Sequence, residues 1–375
     1  MFLTREDPRI GEQIQDYRLE KKLASGGMGT IFLAQRAPNS GSERSILRVF
    51  KLLRHELAND QQGIHLFRRE VKILQQLHHP NIVQLEDHGI HDTMGRYICM
   101  EYITGHTLKT HLRRNPNPPK HHLVIRWIEQ ICEALQYCHN KQIIHRDLKP
   151  ENIFLQAPDT PAEALKLFDF GIASCPNVDE IPARHVGTPR YMPPEQIRNE
   201  PVDGRADLYA LGVIMYELLT HRPLFAEKNS EKLRQAHLNQ PPPTLGERRP
   251  DLMIPDSVEA MFRRLLAKSP SERPADAQAF VAQWKECLPP EPFEKRGGKM
   301  GFVVGQGDAF MAEMDDVETP PPVEVNEANS VAMNDDEDWD DEFASGSFWQ
   351  TYKWPLMFLV LALVGLVAVV WGMQP

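Results

Sequence analysis

Apolar and polar positions alternate from Tyr17 to Ala34, and the alternation breaks only at Ala24-Ser25-Gly26-Gly27-Met28-Gly29-Thr30-Ile31. A period of two on both sides of such a break predicts two strands joined by a glycine-rich turn. Ser45–Leu53 predicts a further strand, and Tyr97–Ile103 a buried strand running into Thr104-Gly105. Between them the period changes: Glu70–Leu77 predicts a helix with Val71, Leu74 and Leu77 on one face. From His122 to Asn140 the apolar residues Val124, Ile128, Ile131, Leu135 and Cys138 recur every three or four positions, the mark of an amphipathic helix on a core. Beyond Pro194 the pattern is helical, and Asp207–Leu218 reads as a central helix. Residues 1–16 are polar and predict a loose lead-in, and no internal repeat is visible.

After Leu288 the long apolar periods stop. Gly, Pro and acidic residues dominate 289–353, a composition that predicts a disordered linker. Trp354–Met373 then offers 20 residues without a charge, the length of one membrane-spanning helix. Trp354 and Trp371 flank it and Lys353 stands before it, as interfacial anchors do. The start, Met1-Phe2-Leu3-Thr4-Arg5-Glu6-Asp7, lacks the apolar run of a secretory leader.

Length and charge sharpen this division. At 375 residues the chain exceeds one average domain. Its net charge of −10 is local, because Met311–Glu342 holds 13 acidic residues and no Lys or Arg. The remainder is close to neutral and offers no electrostatic case for nucleic-acid binding. Five scattered cysteines, with no C-x-x-C pair, indicate neither a disulfide framework nor a zinc site, and favour a reducing compartment.

The chemistry concentrates in Ile144-His145-Arg146-Asp147-Leu148-Lys149-Pro150-Glu151-Asn152. Asp147, Lys149 and Asn152 put a carboxylate, an ammonium and a carboxamide within six residues, on a turn stiffened by Pro150. Phosphoryl transfer uses such a set: a carboxylate to orient a hydroxyl, a cation over the moving phosphate, and an oxygen ligand for magnesium. Seventeen residues after Asn152, Asp169-Phe170-Gly171 adds a further carboxylate that could hold a metal. The glycine-rich turn lets backbone N–H groups approach phosphate oxygens without a Cβ in the way. Two cations in the third strand, Arg48 and Lys51, could reach the same phosphates.

These motifs, in this order, resemble those of the eukaryotic-type serine/threonine protein kinases, in particular the bacterial membrane-anchored ones, from about Tyr17 to Leu288. The resemblance implies an α+β, two-lobed fold, with a small β-rich lobe over about 17–103 and a larger helical lobe over about 104–288. It implies ATP and Mg²⁺ as cofactors and Ser/Thr hydroxyls of proteins as substrates. Asp147 and Lys149 become the catalytic pair, and Asn152 and Asp169 the metal ligands. Leu23, Ala24, Ser25, Gly26, Gly27, Met28, Gly29, Thr30 and Ile31 cover the nucleotide, and Glu101 and Tyr102 meet the adenine edge through their backbone. The resemblance also implies a helical glutamate about 19 residues after the lysine on the α- and β-phosphates, a distance that Lys51, and not Arg48, has to Glu70. Asp207 is expected to brace the catalytic loop and Arg273 to pair with Glu195. Ala24 departs from the family pattern at the first glycine, and Pro193 at the alanine before Pro194-Glu195. Arg146 before Asp147 implies an anion in the activation segment, for which Asp179 or Glu180 can serve. A bacterial inner-membrane enzyme facing the cytoplasm follows from the same likeness. The competing class is a catalytically weak pseudokinase serving as a tethered scaffold.

Overall fold

The computed structural model describes residues 7–36, 45–58, 60–115, 118–119, 121–171, 173 and 188–287. The expected acidic linker, the expected membrane helix over 354–373 and the acids Asp179 and Glu180 lie outside the described residues. Among the described residues, no helix is long and apolar enough to cross a membrane.

Antiparallel pairing builds the first sheet, in the order β1-β2-β3-β4-β6-β5. Its strands are β1 (Gln13–Ile14), β2 (Tyr17–Ser25), β3 (Gly29–Arg36), β4 (Ile46–Leu53), β5 (Leu85–His91) and β6 (Gly95–Glu101). Alternation puts Leu19, Phe32, Phe50 and Tyr97 into one small core, joined by Ile14 from β1. Residues from Asp7 onward therefore belong to this lobe, where the sequence pattern suggested a loose lead-in. A two-residue strand is too short to show a period.

Helix α1 (Gln61–Leu74) packs beside β5. It starts nine residues before the Glu70 start that the pattern predicted, so Glu70 lies in its third turn and is buried rather than capping an exposed end. The N-cap is Asp60, whose carboxylate accepts from Gly63 N at 2.8 Å.

The larger lobe packs α2 (Leu108–Arg114), α3 (His121–Asn140), α5 (Arg205–Thr220), α6 (Ser230–Asn239), α7 (Leu245–Arg248), α8 (Asp256–Leu265) and α9 (Ala277–Cys287) into one core, with α4 (Pro194–Ile197) packed on α6. α5 is buried along nearly its whole length, as a central helix must be. A second sheet, β7 (Gly105–Thr107), β8 (Ile153–Gln156) and β9 (Ala164–Leu167), lies at its upper edge. The β8–β9 hairpin pairs Ile153 with Leu167. That register sets Asn152, just before β8, beside the segment just after β9, and Phe168 N donates to Asn152 O at 3.1 Å. Two motifs 17 residues apart in sequence are thereby brought side by side.

His237 on α6 is fully buried. Its Nδ1 lies 3.0 Å from the Tyr209 hydroxyl, and Phe225 meets its ring edge-on. Burial, with Lys268 nearby, pushes its pKa down to about 3. The unfolded chain binds this proton below about pH 6.5 and the folded chain does not, so stability falls as pH drops from 6.5 towards 3. One such group removes about 2 kcal/mol between pH 6.5 and 5. His237→Gln should flatten that part of the pH–stability curve, measured by denaturant unfolding at pH 7, 6 and 5.

Candidate active site

Two groups of charged side chains face each other across the lobes. From the small lobe, Lys51 on β4 donates to Glu70 Oε1 at 2.7 Å and Oε2 at 2.9 Å. It also reaches Asp169 Oδ1 at 3.3 Å. The two strand cations have different partners. Register places Lys51 opposite Ile31 on β3 and Ile98 on β6, on the face under the glycine-rich turn. Arg48 instead pairs with Glu86 at 3.2 Å. Burial alone would depress the Lys51 ammonium, but Asp169 and Glu70 outweigh it and hold its pKa above the ordinary lysine range. Lys51 in turn holds the Asp169 carboxyl below the usual carboxylate range.

The glycine-rich turn closes through Gly26 N, which donates to Gly29 O at 2.9 Å. Ala24 and Ser25 end β2 opposite Ile31 and Thr30 of β3, so the alanine in place of the expected glycine is accommodated as a strand residue. Leu23 is half-buried, and Gly26 and Gly27 are exposed at the tip. Gly29 has no alternative: a Cβ there would stand 2.7 Å from Leu52 O. Met28 folds inward, with Cε 3.7 Å from where a Cβ on Gly171 would be.

From the large lobe, the catalytic loop hangs between α3 and β8. Asp207 at the start of α5 makes three bonds, two to this loop and one to α3. Oδ2 accepts from His145 N at 2.9 Å and lies 2.8 Å from His139 Nε2, while Oδ1 accepts from Arg146 N at 2.9 Å. These donors outweigh burial and keep the Asp207 carboxyl below its usual range. They also fix an unfavourable backbone at Arg146, whose φ is 65°, and Asp169 in the second motif has φ 62°. Left-handed residues at both motifs mark strain that the surroundings over-determine. His145 is buried; its Nδ1 accepts from Asp147 N at 3.3 Å and its Nε2 faces Phe168 O at 3.2 Å, which assigns the ring proton to Nε2.

Asp147 stands at the centre. Asn152 Nδ2 donates to Asp147 O at 2.9 Å and Oδ2 at 3.1 Å, and Lys149 Nζ lies 2.9 Å from Oδ2. The Thr188 hydroxyl donates to Asp147 Oδ1 at 3.3 Å and accepts from Lys149 Nζ at 2.8 Å. Asp147 overcomes burial to raise the Lys149 pKa, so this ammonium stays charged. Arg146, Asp147, Leu148, Thr188, Tyr191 and Met192 line a shallow recess.

The expected adenine-edge residues are less free than the sequence implied. Glu101 N donates to Gln84 O at 3.1 Å, and the Glu101 carboxylate accepts from Lys166 at 2.7 Å and from Gln84 N at 2.8 Å. Tyr102 follows β6 and is half-buried. The sequence reading missed Arg69, which is buried and donates twice to Ala173 O, at 3.0 and 2.7 Å, tying α1 to the start of the activation segment. It also missed His139; its spacing ahead of Asp207 carried no signal. The expected Arg273–Glu195 pair is present, bidentate at 2.7 and 2.8 Å and buried.

A β-rich lobe gripping with a Lys–Glu pair, set over a helical lobe that presents Asp147, Asn152 and Asp169, defines the class: a two-lobed protein-kinase fold. The protein kinase domain family matches residues 17–285, and the chain belongs to that family. The serine/threonine-protein kinase pkn3 of Myxococcus xanthus is 38% identical over 284 residues, 74% of this chain and 51% of that one. The tyrosine-protein kinase MasK of the same species is 35% identical over 279 residues, 71% of this chain and 42% of that one. The chain thus spans about half the length of these relatives, or less. Among solved structures, a double mutant of the Mycobacterium tuberculosis PknI kinase domain matches with a TM-score of 0.56 and 27% identity, covering 76% of this chain and 99% of that one.

Proposed function

We propose that this chain is a protein kinase that transfers the γ-phosphate of ATP to serine and threonine hydroxyls of proteins. The observation that carries the reading is the Asp147 carboxylate, which already accepts an aliphatic hydroxyl, that of Thr188, with the Lys149 ammonium 2.8 Å from the same oxygen. A substrate hydroxyl in that position would be oriented by Asp147, and Lys149 would offset charge developing on the transferred phosphoryl group. Lys51, held by Glu70, grips the α- and β-phosphates from the other lobe. The donor set fits magnesium. Asn152 commits its amide nitrogen to Asp147, which leaves Oδ1 as its donor, and Asp169 supplies an ionised carboxylate. One carboxylate and one amide oxygen suit an ion that shares phosphate ligands. Bound there, it neutralises phosphate charge.

The full chain, purified in mild detergent, should transfer labelled phosphate from ATP with Mg²⁺ to a generic protein substrate. Acid hydrolysis should yield phosphoserine or phosphothreonine; phosphotyrosine alone would overturn the specificity. Lys51→Met should lose transfer by about a hundredfold or more, because an oriented charged contact to the phosphates disappears. Nucleotide binding without any transfer would favour the scaffold reading.

The reading extends to location. Twenty uncharged residues between Trp354 and Met373 support a tether to a bacterial inner membrane with the kinase on the cytoplasmic side. Release of the chain from membranes by alkaline carbonate would count against it.

A further inference from the structure

The segment before the first long strand is built against the glycine-rich turn. Gly11 N donates to Leu19 O at 2.7 Å and Leu19 N to Glu12 O at 2.9 Å, which fastens the segment along β2. Ile14 is fully buried in the small-lobe core, and Ile10 packs against it. These contacts deliver Arg9 to a defined place. Its Nε and Nη2 each lie 2.8 Å from one oxygen of Asp7, a planar fork on a carboxylate. Its guanidinium carbon sits 4.9 Å above the centre of the Phe32 ring. Its Nη2 also donates to Thr30 Oγ1 at 3.3 Å.

Thr30 is the residue after Gly29 and is buried, with 3% exposure. Its strand partner is Ser25, the last residue before the turn, and the two hydroxyl oxygens are 3.4 Å apart. A chain of polar contacts, Asp7–Arg9–Thr30–Ser25, therefore crosses the base of the glycine-rich turn. On the far side, Arg54 N donates to Met28 O at 3.1 Å. Between these two braces the tip carries two adjacent exposed glycines, whose ordering on a ligand costs conformational entropy.

An exposed ion pair is ordinarily worth little. Here the Asp7 side chain is only 8% exposed, and its fork to Arg9 holds its carboxyl below the usual range, so the arginine is fixed before any ligand arrives. We propose that Arg9, held by Asp7, is a positioning residue for the glycine-rich turn. It pre-orders the base of the turn and so lowers the cost of closing the tip on the nucleotide phosphates. The proposal rests on the kinase reading for the identity of the nucleotide.

The test uses the full chain and its Arg9→Ala, Arg9→Lys, Asp7→Ala and Arg18→Ala variants, the last an exposed arginine on the neighbouring strand. Direct binding of a fluorescent ADP analogue is measured beside KM for ATP, kcat and the unfolding temperature. Loss of one braced hydrogen bond predicts that Arg9→Ala and Asp7→Ala raise the analogue Kd and the ATP KM about three- to tenfold, with kcat within about twofold. Arg9→Lys should recover part of the loss, since it keeps the charge over Phe32 without the fork. Arg18→Ala should match the parent. Unchanged Kd in Arg9→Ala overturns the proposal, as does a fall in kcat and unfolding temperature at constant KM, which marks a merely structural residue. A parent that binds the analogue but transfers no phosphate sinks the kinase reading alone, because the Kd comparison still decides the role of Arg9. A parent that binds no nucleotide overturns both.

Discussion

Asp147→Asn should lower the rate of phosphoryl transfer by about a hundred- to ten-thousandfold while leaving nucleotide affinity within about twofold. The substitution keeps the size of the side chain and its place beside Asn152 and Lys149. It replaces one accepting oxygen by a donating amide, so the bond now made to Thr188 Oγ1 is compromised. The lysine grip is left in place, because Lys51 holds Glu70 and Asp169 rather than Asp147. The effect should therefore appear in kcat and not in KM for ATP, as expected for an interaction made with the reacting hydroxyl. Steady-state kinetics of both proteins beside nucleotide titration will check this. An equal rise in KM would show that Asp147 helps to hold the nucleotide.

The largest stability effect is expected at Arg273. Its guanidinium is buried and fully committed. Nη1 and Nη2 hold the Glu195 carboxylate, Nη1 also donates to Arg205 O at 2.8 Å, and Nε donates to Ala267 O at 2.9 Å. It lies 4.9 Å over the Tyr209 ring. Arg273→Met would leave Glu195 buried without its cation, a change that costs about 3–5 kcal/mol. For a domain of this size that corresponds to roughly 6–20 °C in unfolding temperature. Arg273→Lys should recover little, since an ammonium cannot reproduce the fork. The double variant Glu195→Leu/Arg273→Met should be more stable than Arg273→Met alone, because the stranded charge is gone. Calorimetry of the three variants decides. A double variant no better than the single would mean that the carbonyls left by Arg273, not Glu195, carry the cost.

The elements read from the sequence were those with long periods or fixed spacings. α3 and α5 declared themselves by apolar repeats, and the choice of Lys51 over Arg48 came from its distance to Glu70. What escaped was short or polar. The first turns of α1, Gln61-Gln62-Gly63-Ile64-His65, show no apolar face and include a glycine; Asp60 as an N-cap was the available sign. β1 is two residues long, so the docking of residues 7–14 left no period to find. Arg69 looks like any surface arginine until the fold buries it. The strained backbone at Arg146 and Asp169 is likewise a product of the assembled loop, since neither residue type demands a positive φ.

The three bonds from Asp207 to His139, His145 and Arg146 have a mechanical consequence. They rivet the transfer half of the site to two packed helices of the large lobe, whereas Lys51 and Glu70 travel with the small lobe. The parts on each side keep their own geometry during any rocking of one lobe against the other. One coordinate, the Lys51–Asp169 separation of 3.3 Å, then gauges how far the jaw is shut. A pair of spectroscopic labels on β4 and α5 would read that coordinate, and a single distance should track nucleotide occupancy.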